Sequence, residues 1–299
     1  MRILITGSSG LIGHHLATKL RGMGHEIVEF DIKNKSANGG TQDVRNHDLL
    51  KNLASHCDGV IHLAAVSRVV WGQRDPKLCR EINVGGTKNL YKAIIENENK
   101  PFVLFGSSRE VYGNPDKLPV AENHEHNPCN IYGHTKVEGE LLTQELGRLG
   151  LNACVFRFSN VYGWTGDHAD RVIPAFARQA AANGQVRVDG ANCVFDFTHV
   201  DDVVEGITRA VCLLQEGNRL PPIHLVSGKG TSLGELASLA DACSQSGVAI
   251  KQSPPRDFDV GKFYGDYSRA REILGWHPST TLEKGFAKLT EEYRSLLSC

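Results

Sequence analysis

The chain has 299 residues, 33 basic and 34 acidic, with a formal net charge of −1. Charges this balanced and this mixed argue against nucleic acid or an anionic membrane as partner. No apolar run approaches the length that spans a bilayer, and the size suits one large core or two domains.

Residues 2–6 read as a buried strand that breaks into glycines at Gly7, Gly10 and Gly13, with a helix over 11–22. A strand, a tight turn and a helix N-terminus form a cradle for a pyrophosphate, held on backbone N–H groups and the helix dipole. The next strand, 26–31, ends in Asp31, whose carboxylate can accept from a ribose 2′-OH and repels a 2′-phosphate. Although Lys33 is nearby, the glycine loop holds no arginine, so NAD is expected rather than NADP.

Strands at 59–63, 101–106 and 152–157 alternate with helices at 75–98 and 128–149. That alternation predicts an α/β fold, a doubly wound parallel sheet of Rossmann type. Asn127 and Pro128 read as the cap and first turn of helix 128–149. Further helices are expected at 172–182, 201–215, 232–244 and 282–297. Beyond residue 158 the pattern loosens around prolines, as in a smaller substrate-binding α/β lobe. The expected division is 1–158 for the dinucleotide and 159–299 for the substrate.

Two side chains on helix 128–149 supply candidate chemistry. Tyr132 and Lys136 are four residues apart, so they share a face. A free phenol has a pKa of about 10 and is a poor base at neutral pH. A fixed ammonium and a positively charged nicotinamide would both favour the phenolate. Taken alone, the pair also fits an amphipathic surface helix. The strand at 101–106 runs into Ser107 and Ser108, at the carboxyl end where ligands gather in such sheets. A neutral hydroxyl there can pass a proton between a substrate oxygen and the phenol, although strand-end serines often only close turns.

The motifs together resemble the extended short-chain dehydrogenases/reductases, closest to the NAD-dependent nucleotide-sugar epimerases and dehydratases. They are GSSGLIG, Asp31, HLAA at 62–65, INVGGTKNL at 82–90, SSREVYG at 107–113, YGHTK at 132–136, RFSNVYG at 157–163, HVDDVVEGI at 199–207 and SRAREILGW at 268–276. The resemblance implies catalytic roles for Ser108, Tyr132 and Lys136. It places the cofactor along Gly7, Ser9, Gly10, Leu11, Ile12 and Gly13, then Asp31. Asp43 would reach the adenine beside Val44. Leu63, Ala64, Ala65, Ser107, Phe158 and Val161 would continue the cofactor site, with Asn83 bracing it and the helix. Asn160 would touch the substrate diphosphate. The segment 194–226 would return to the first sheet, and helices 75–98 and 128–149 would form a homodimer seam.

By the same resemblance, the reaction is oxidation at a sugar C4 followed by epimerisation, with a UDP-hexose as substrate. Relatives that remove water carry an Asp-Glu pair after the serine, where this chain has Arg109 and Glu110. One carboxylate remains, which counts against 4,6-dehydration. Glu110 stays open to a catalytic role, as in a uronate decarboxylase, or to a structural one. Relatives also carry a phosphate-binding arginine where this chain has Phe195, leaving Arg256, with Arg187 as a helper, for the diphosphate. A sugar reductase is a further alternative among enzymes. A binding or redox-sensing module is the alternative of another class, and retention of Ser108, Tyr132 and Lys136 argues against it.

The chain enters its first strand without the apolar core and cleavage site of a signal peptide. The eight cysteines (Cys57, Cys79, Cys129, Cys154, Cys193, Cys212, Cys243, Cys299) are scattered. They read as free thiols in a reducing cytoplasm. The 13 histidines show no metal-binding spacing, so no metal is expected.

Overall fold

A computed structural model describes residues 1–35 and 39–298. Cys299 lies outside the described residues, and the other seven cysteines are free thiols.

The first strand, β1 (Arg2–Thr6), is buried through Ile3, Leu4 and Ile5. Helix α1 (Leu11–Gly22) follows and buries Leu11, Leu16, Ala17 and Leu20, the stripe of an amphipathic helix laid on a sheet. Then come β2 (Glu26–Phe30) and α2 (His47–Ala54). Helix α2 was not anticipated; two turns long, it is started by the Asn46 side chain accepting from the Leu49 N–H. Strand β3 (Gly59–His62) leads to α3 (Val69–Arg74), which was not anticipated. The helix expected over 75–98 follows, unbroken from Pro76 to Glu96: α4 (Pro76–Arg80) passes through a π-helical turn (Glu81–Gly85) into α5 (Gly86–Glu96). Asp75 caps α4 through the Leu78 N–H, and Pro76 occupies its first turn. A Cβ on Gly86 would come within 2.4 Å of Val44, so the wound turn brings this backbone close to the neighbouring loop.

Strand β4 (Phe102–Ser108) is buried throughout. The long helix α6 (Ile131–Arg148) starts three residues later than expected. Its cap is Asn130, which accepts from the Gly133 N–H at 2.9 Å, not Asn127. The Asn127 N–H instead donates to Val111 O at 3.0 Å and fastens the preceding loop. After it come β5 (Ala153–Phe158), β6 (Asn160–Tyr162), α7 (Val172–Ala182), β7 (Gln185–Asp189), β8 (Val194–His199) and α8 (Val200–Gln215). The chain ends with β9 (Ile223–Leu225), β10 (Gly230–Ser232), α9 (Leu233–Cys243), β11 (Ala249–Ser253), α10 (Ser268–Leu274) and α11 (Leu282–Leu297).

The main sheet is parallel, in the order β2-β1-β3-β4-β5-β9. Strand order reverses between β1 and β3, and in open α/β sheets a ligand lies across the carboxyl ends at such a switch. Of the segment 194–226, β9 joins this sheet and α8 packs on α1. Strand β8 does not return: it lies in a separate sheet, β10-β8-β6, because Val194–His199 has found antiparallel and parallel partners there. A two-stranded pair, β11-β7, completes the far side. A second apolar core, with Phe176, Phe195, Phe197, Leu236 and Phe286, fills that region. Among the described residues, no helix is long and apolar enough to cross a membrane.

Candidate active site

A cavity of about 660 Å³ opens at the carboxyl ends of β1, β3 and β4 and runs towards the second core. Its near wall is the glycine turn, with Gly7, Gly10, Leu11, Ile12 and Gly13 lining it. Gly7 has φ +75°, and a Cβ there would meet Ala64 N at 2.7 Å. A Cβ on Gly13 would meet Gly7 O at 2.2 Å. Both positions therefore require glycine to keep the turn tight against the sheet. Gly10 precedes α1 without a side-chain cap, so the first N–H groups of the helix remain available to an anion.

Asp31 sits behind this turn, buried, and does not line the cavity. Its carboxylate accepts from the Ser9 N–H and from the Lys33 N–H, each at 3.0 Å. It therefore shapes the glycine loop as well as offering charge at the end of β2. Replacing Asp31 by Ala should weaken NAD binding by about 1.5–3 kcal/mol, the worth of hydrogen bonds to a charged group, and narrow the preference over NADP. Titration of both dinucleotides checks this; an unchanged ratio of affinities would contradict it.

Several expected cofactor residues are placed differently. The Asp43 carboxylate is gripped by Arg45, at 2.6 Å from Nη2, which holds it below the ordinary carboxylate range. A hydrogen bond to adenine there has to coexist with, or replace, that pair. Val44 is buried under Gly86, and Ala64 N donates to Thr6 Oγ1 at 3.3 Å. Leu63, Ala65, Phe158 and Val161 line the cavity with Ser107, but the Ser107 hydroxyl points away from it. That hydroxyl donates to Glu140 Oε1 at 2.5 Å, because alternate side chains of β4 face opposite sides of the sheet.

Ser108, Tyr132 and Lys136 converge on the same cavity. Asn83 fixes the helix that carries two of them. Its Oδ1 accepts from the Val66 N–H at 2.7 Å, and its Nδ2 donates to Thr135 Oγ1 at 2.9 Å. Lys136 Nζ donates to Gly106 O at 2.7 Å and lies 5.7 Å from the centroid of the Tyr132 ring.

The protein alone does not supply the lowered phenol expected above. Burial pushes Tyr132 up to about 12; the Arg171 guanidinium opposes this most, and the Ser108 hydroxyl acts the same way. Ligand-free, the phenol therefore stays protonated at neutral pH. Arg171 escaped the sequence reading because the cation comes from the start of α7, far along the chain. Its Nη2 donates to Ser67 Oγ at 3.3 Å, across the cavity mouth, where Arg68 also pairs with Asp170.

Burial also pushes Lys136 down from its ordinary value to about 8, against the pull of Cys79 and Glu140. The unfolded chain then holds this proton to about pH 10.4, and the native one releases it earlier. Lys136 therefore adds a contribution to the unfolding free energy that rises with pH across that window, since at this group the unfolded state binds more protons. Buried groups pushed upward, such as Cys57 and Tyr132, contribute the opposite slope. Denaturant melts of wild type and Lys136→Met on either side of the window check it: the slope should be less positive in Lys136→Met, and an unchanged slope would contradict it.

Beneath these groups lies a buried ion pair that the sequence reading also missed. Glu140 accepts from Arg157 Nε at 2.9 Å and from Nη2 at 2.6 Å. Arg157 Nη1 continues to Tyr112 Oη at 2.6 Å, and that hydroxyl reaches His224 Nε2 at 2.6 Å. Glu140 falls four residues after Lys136, so a Tyr132–Lys136–Glu140 stripe was the available signal.

Asn160, Arg187 and Arg256 also line the cavity. Arg187 Nε donates to Asp189 at 2.7 Å, and Arg256 Nε to Asp259 at 2.7 Å. Phe195 belongs to the second core, T-shaped to Phe197, and also faces the cavity. The Arg109 guanidinium lies 4.9 Å from its ring centroid. Glu110, buried beside it, has both oxygens engaged: Oε1 is 2.8 Å from Arg109 Nη2, and Oε2 accepts from Asn130 Nδ2 at 2.7 Å.

A doubly wound sheet, a glycine turn at its switch point and a Ser-Tyr-Lys group beside it define a dinucleotide-dependent enzyme of the short-chain dehydrogenase/reductase type. The chain belongs to the NAD dependent epimerase/dehydratase family, whose pattern matches residues 3–221. It is 31% identical to the UDP-glucose 4-epimerase of Mycolicibacterium smegmatis, over 99% of each chain. It is 27% identical to UDP-glucuronic acid decarboxylase 2 of Arabidopsis thaliana, over 98% of this chain and 68% of that one. The crystal structure of UDP-glucose 4-epimerase from Thermotoga maritima with UDP-glucose superposes with a TM-score of 0.89 at 28% identity, covering 99% of this chain and all (100%) of that one.

The residues present fit NAD: the Gly7 and Gly13 positions leave no room for a Cβ, and the first turn of α1 is uncapped. When bound, NAD supplies a two-electron acceptor and a positive ring.

Proposed function

We propose that the protein is a nucleoside-diphosphate-sugar 4-epimerase acting on a UDP-hexose. The observation that carries this reading is the cavity itself. Ser108, Tyr132 and Lys136 line it together with Arg187 and Arg256, while Glu110 is tied at both oxygens. A planar guanidinium donates two parallel hydrogen bonds to a phosphate, so the arginines suit the diphosphate. The sugar then lies by the hydroxyls. Ser108 orients the C4 hydroxyl and Tyr132 takes its proton, while Lys136 stabilises the phenolate. The same groups return the proton once the ketosugar has turned over, and the hydride held meanwhile by the dinucleotide would return to C4, so no net oxidation results. The buried, doubly occupied Glu110 disfavours dehydration, which needs a carboxyl free to move a proton.

Incubation with UDP-glucose, UDP-galactose, their N-acetyl forms and UDP-glucuronate, read by NMR, tests this. Interconversion of C4 epimers with intact carbons is expected, with no accumulation of NADH. A stable 4-keto-6-deoxy product, or carbon dioxide from the uronate, would overturn it.

A further inference from the structure

We propose that Arg109 is a positioning residue that keeps Glu110 out of proton chemistry at the carbon beside the transient ketone. The inference rests on the epimerase reading and explains how a cavity holding a carboxylate avoids side reactions.

Oxidation of a sugar at C4 places a ketone next to C5, and hydrogens beside a carbonyl are acidic. A base near C5 can take that proton, sending the C5–H electron pair into the C4 enolate. Return of a proton from the same base restores the ketone, with no net redox change but with exchange against solvent. Glu110 is the carboxylate placed to do this: it is one residue from Arg109 and two from Ser108, whose Oγ accepts the Glu110 N–H at 3.2 Å, and it lines the same cavity.

The structure holds this carboxylate in place. Oε1 pairs with Arg109 Nη2 at 2.8 Å, Oε2 accepts from Asn130 Nδ2 at 2.7 Å, and both Arg109 and Glu110 are more than nine-tenths buried. Arg109 is itself fixed, its guanidinium 4.9 Å from the Phe195 centroid and 5.8 Å from that of Phe263. A guanidinium facing aromatic rings and ion-paired with a carboxylate is restrained in position. Asn130 is equally committed, since its Oδ1 caps α6. Phe195, which stands where relatives carry a phosphate arginine, thus gains a specific use as the surface against which Arg109 rests.

The test is turnover of UDP-glucose in D2O, with deuterium at C5 of the recovered sugars read by NMR. The wild-type enzyme should interconvert the C4 epimers without deuterium at C5. Arg109→Met keeps an apolar stem against Phe195 and frees Glu110; it should incorporate deuterium at C5 about a hundredfold more often per epimerisation, within the range of a positioned general base. Adding Glu110→Gln to that variant should abolish the exchange. A purely structural Arg109 would lower stability or rate without moving label into C5. Unchanged exchange in a folded, turning-over Arg109→Met enzyme would overturn the proposal. So would C5 exchange in the wild-type enzyme, a result that does not depend on any variant folding. Failure of the wild type to epimerise any sugar would instead overturn the epimerase reading.

Discussion

Tyr132→Phe is expected to lower turnover by about 10²–10⁴-fold, the usual worth of a general acid–base group, with the fold intact. Phenylalanine keeps the ring that packs in the site and near Lys136, and removes only the oxygen that handles the proton. Burial, with the Glu110 carboxylate acting the same way, holds the ligand-free phenol up at about 12, so a bound dinucleotide's positive ring would add to Lys136 in favouring the phenolate. The loss should therefore appear in turnover rather than in dinucleotide affinity. Steady-state rates with a circular dichroism control check this, and near-normal turnover in the variant would contradict the proton role.

The largest effect on stability is expected from Glu140→Ala. The substitution strands the buried Arg157 guanidinium and removes the acceptor of the Ser107 hydroxyl in one step. Removing one partner of a buried pair typically costs about 3–5 kcal/mol, because the remaining charge has lost its compensation. That is a large part of the stability of an ordinary domain. Activity should fall as well, since Glu140 ties α6 to the end of β4, and those two elements carry Tyr132, Lys136 and Ser108. Denaturant unfolding measures the loss. A change within about 1 kcal/mol, the scale of an exposed ion pair, would contradict the account.

The parts legible in the sequence are those written in local spacing. The β1 turn, α1 and Asp31 are read from glycines and a charge at the end of an apolar run. Tyr132 and Lys136 follow from four-residue spacing on one helix, and Ser108 from the end of a buried strand. What stayed hidden depends on residues far apart in the chain. Arg171 reaches the cavity from the start of α7, and Glu140 meets Arg157 only once α6 packs on β5. The engagement of Glu110 requires Asn130, which also takes the helix cap that local reading gave to Asn127 and Pro128. Strands β6, β7, β8, β10 and β11 pair outside the main sheet, so alternation of strand and helix does not reveal them. Helix 75–98 was legible as one element, but the π-helical turn within it at Glu81–Gly85 carries no mark in the spacing.

The most direct test of the central claim follows a single atom. UDP-glucose carrying deuterium at C4 should become its C4 epimer with the label still on C4, because the two electrons removed there are returned to the same carbon. Label transferred to C6 would mean dehydration, and label lost to water would mean that no such return takes place; either result would contradict the account.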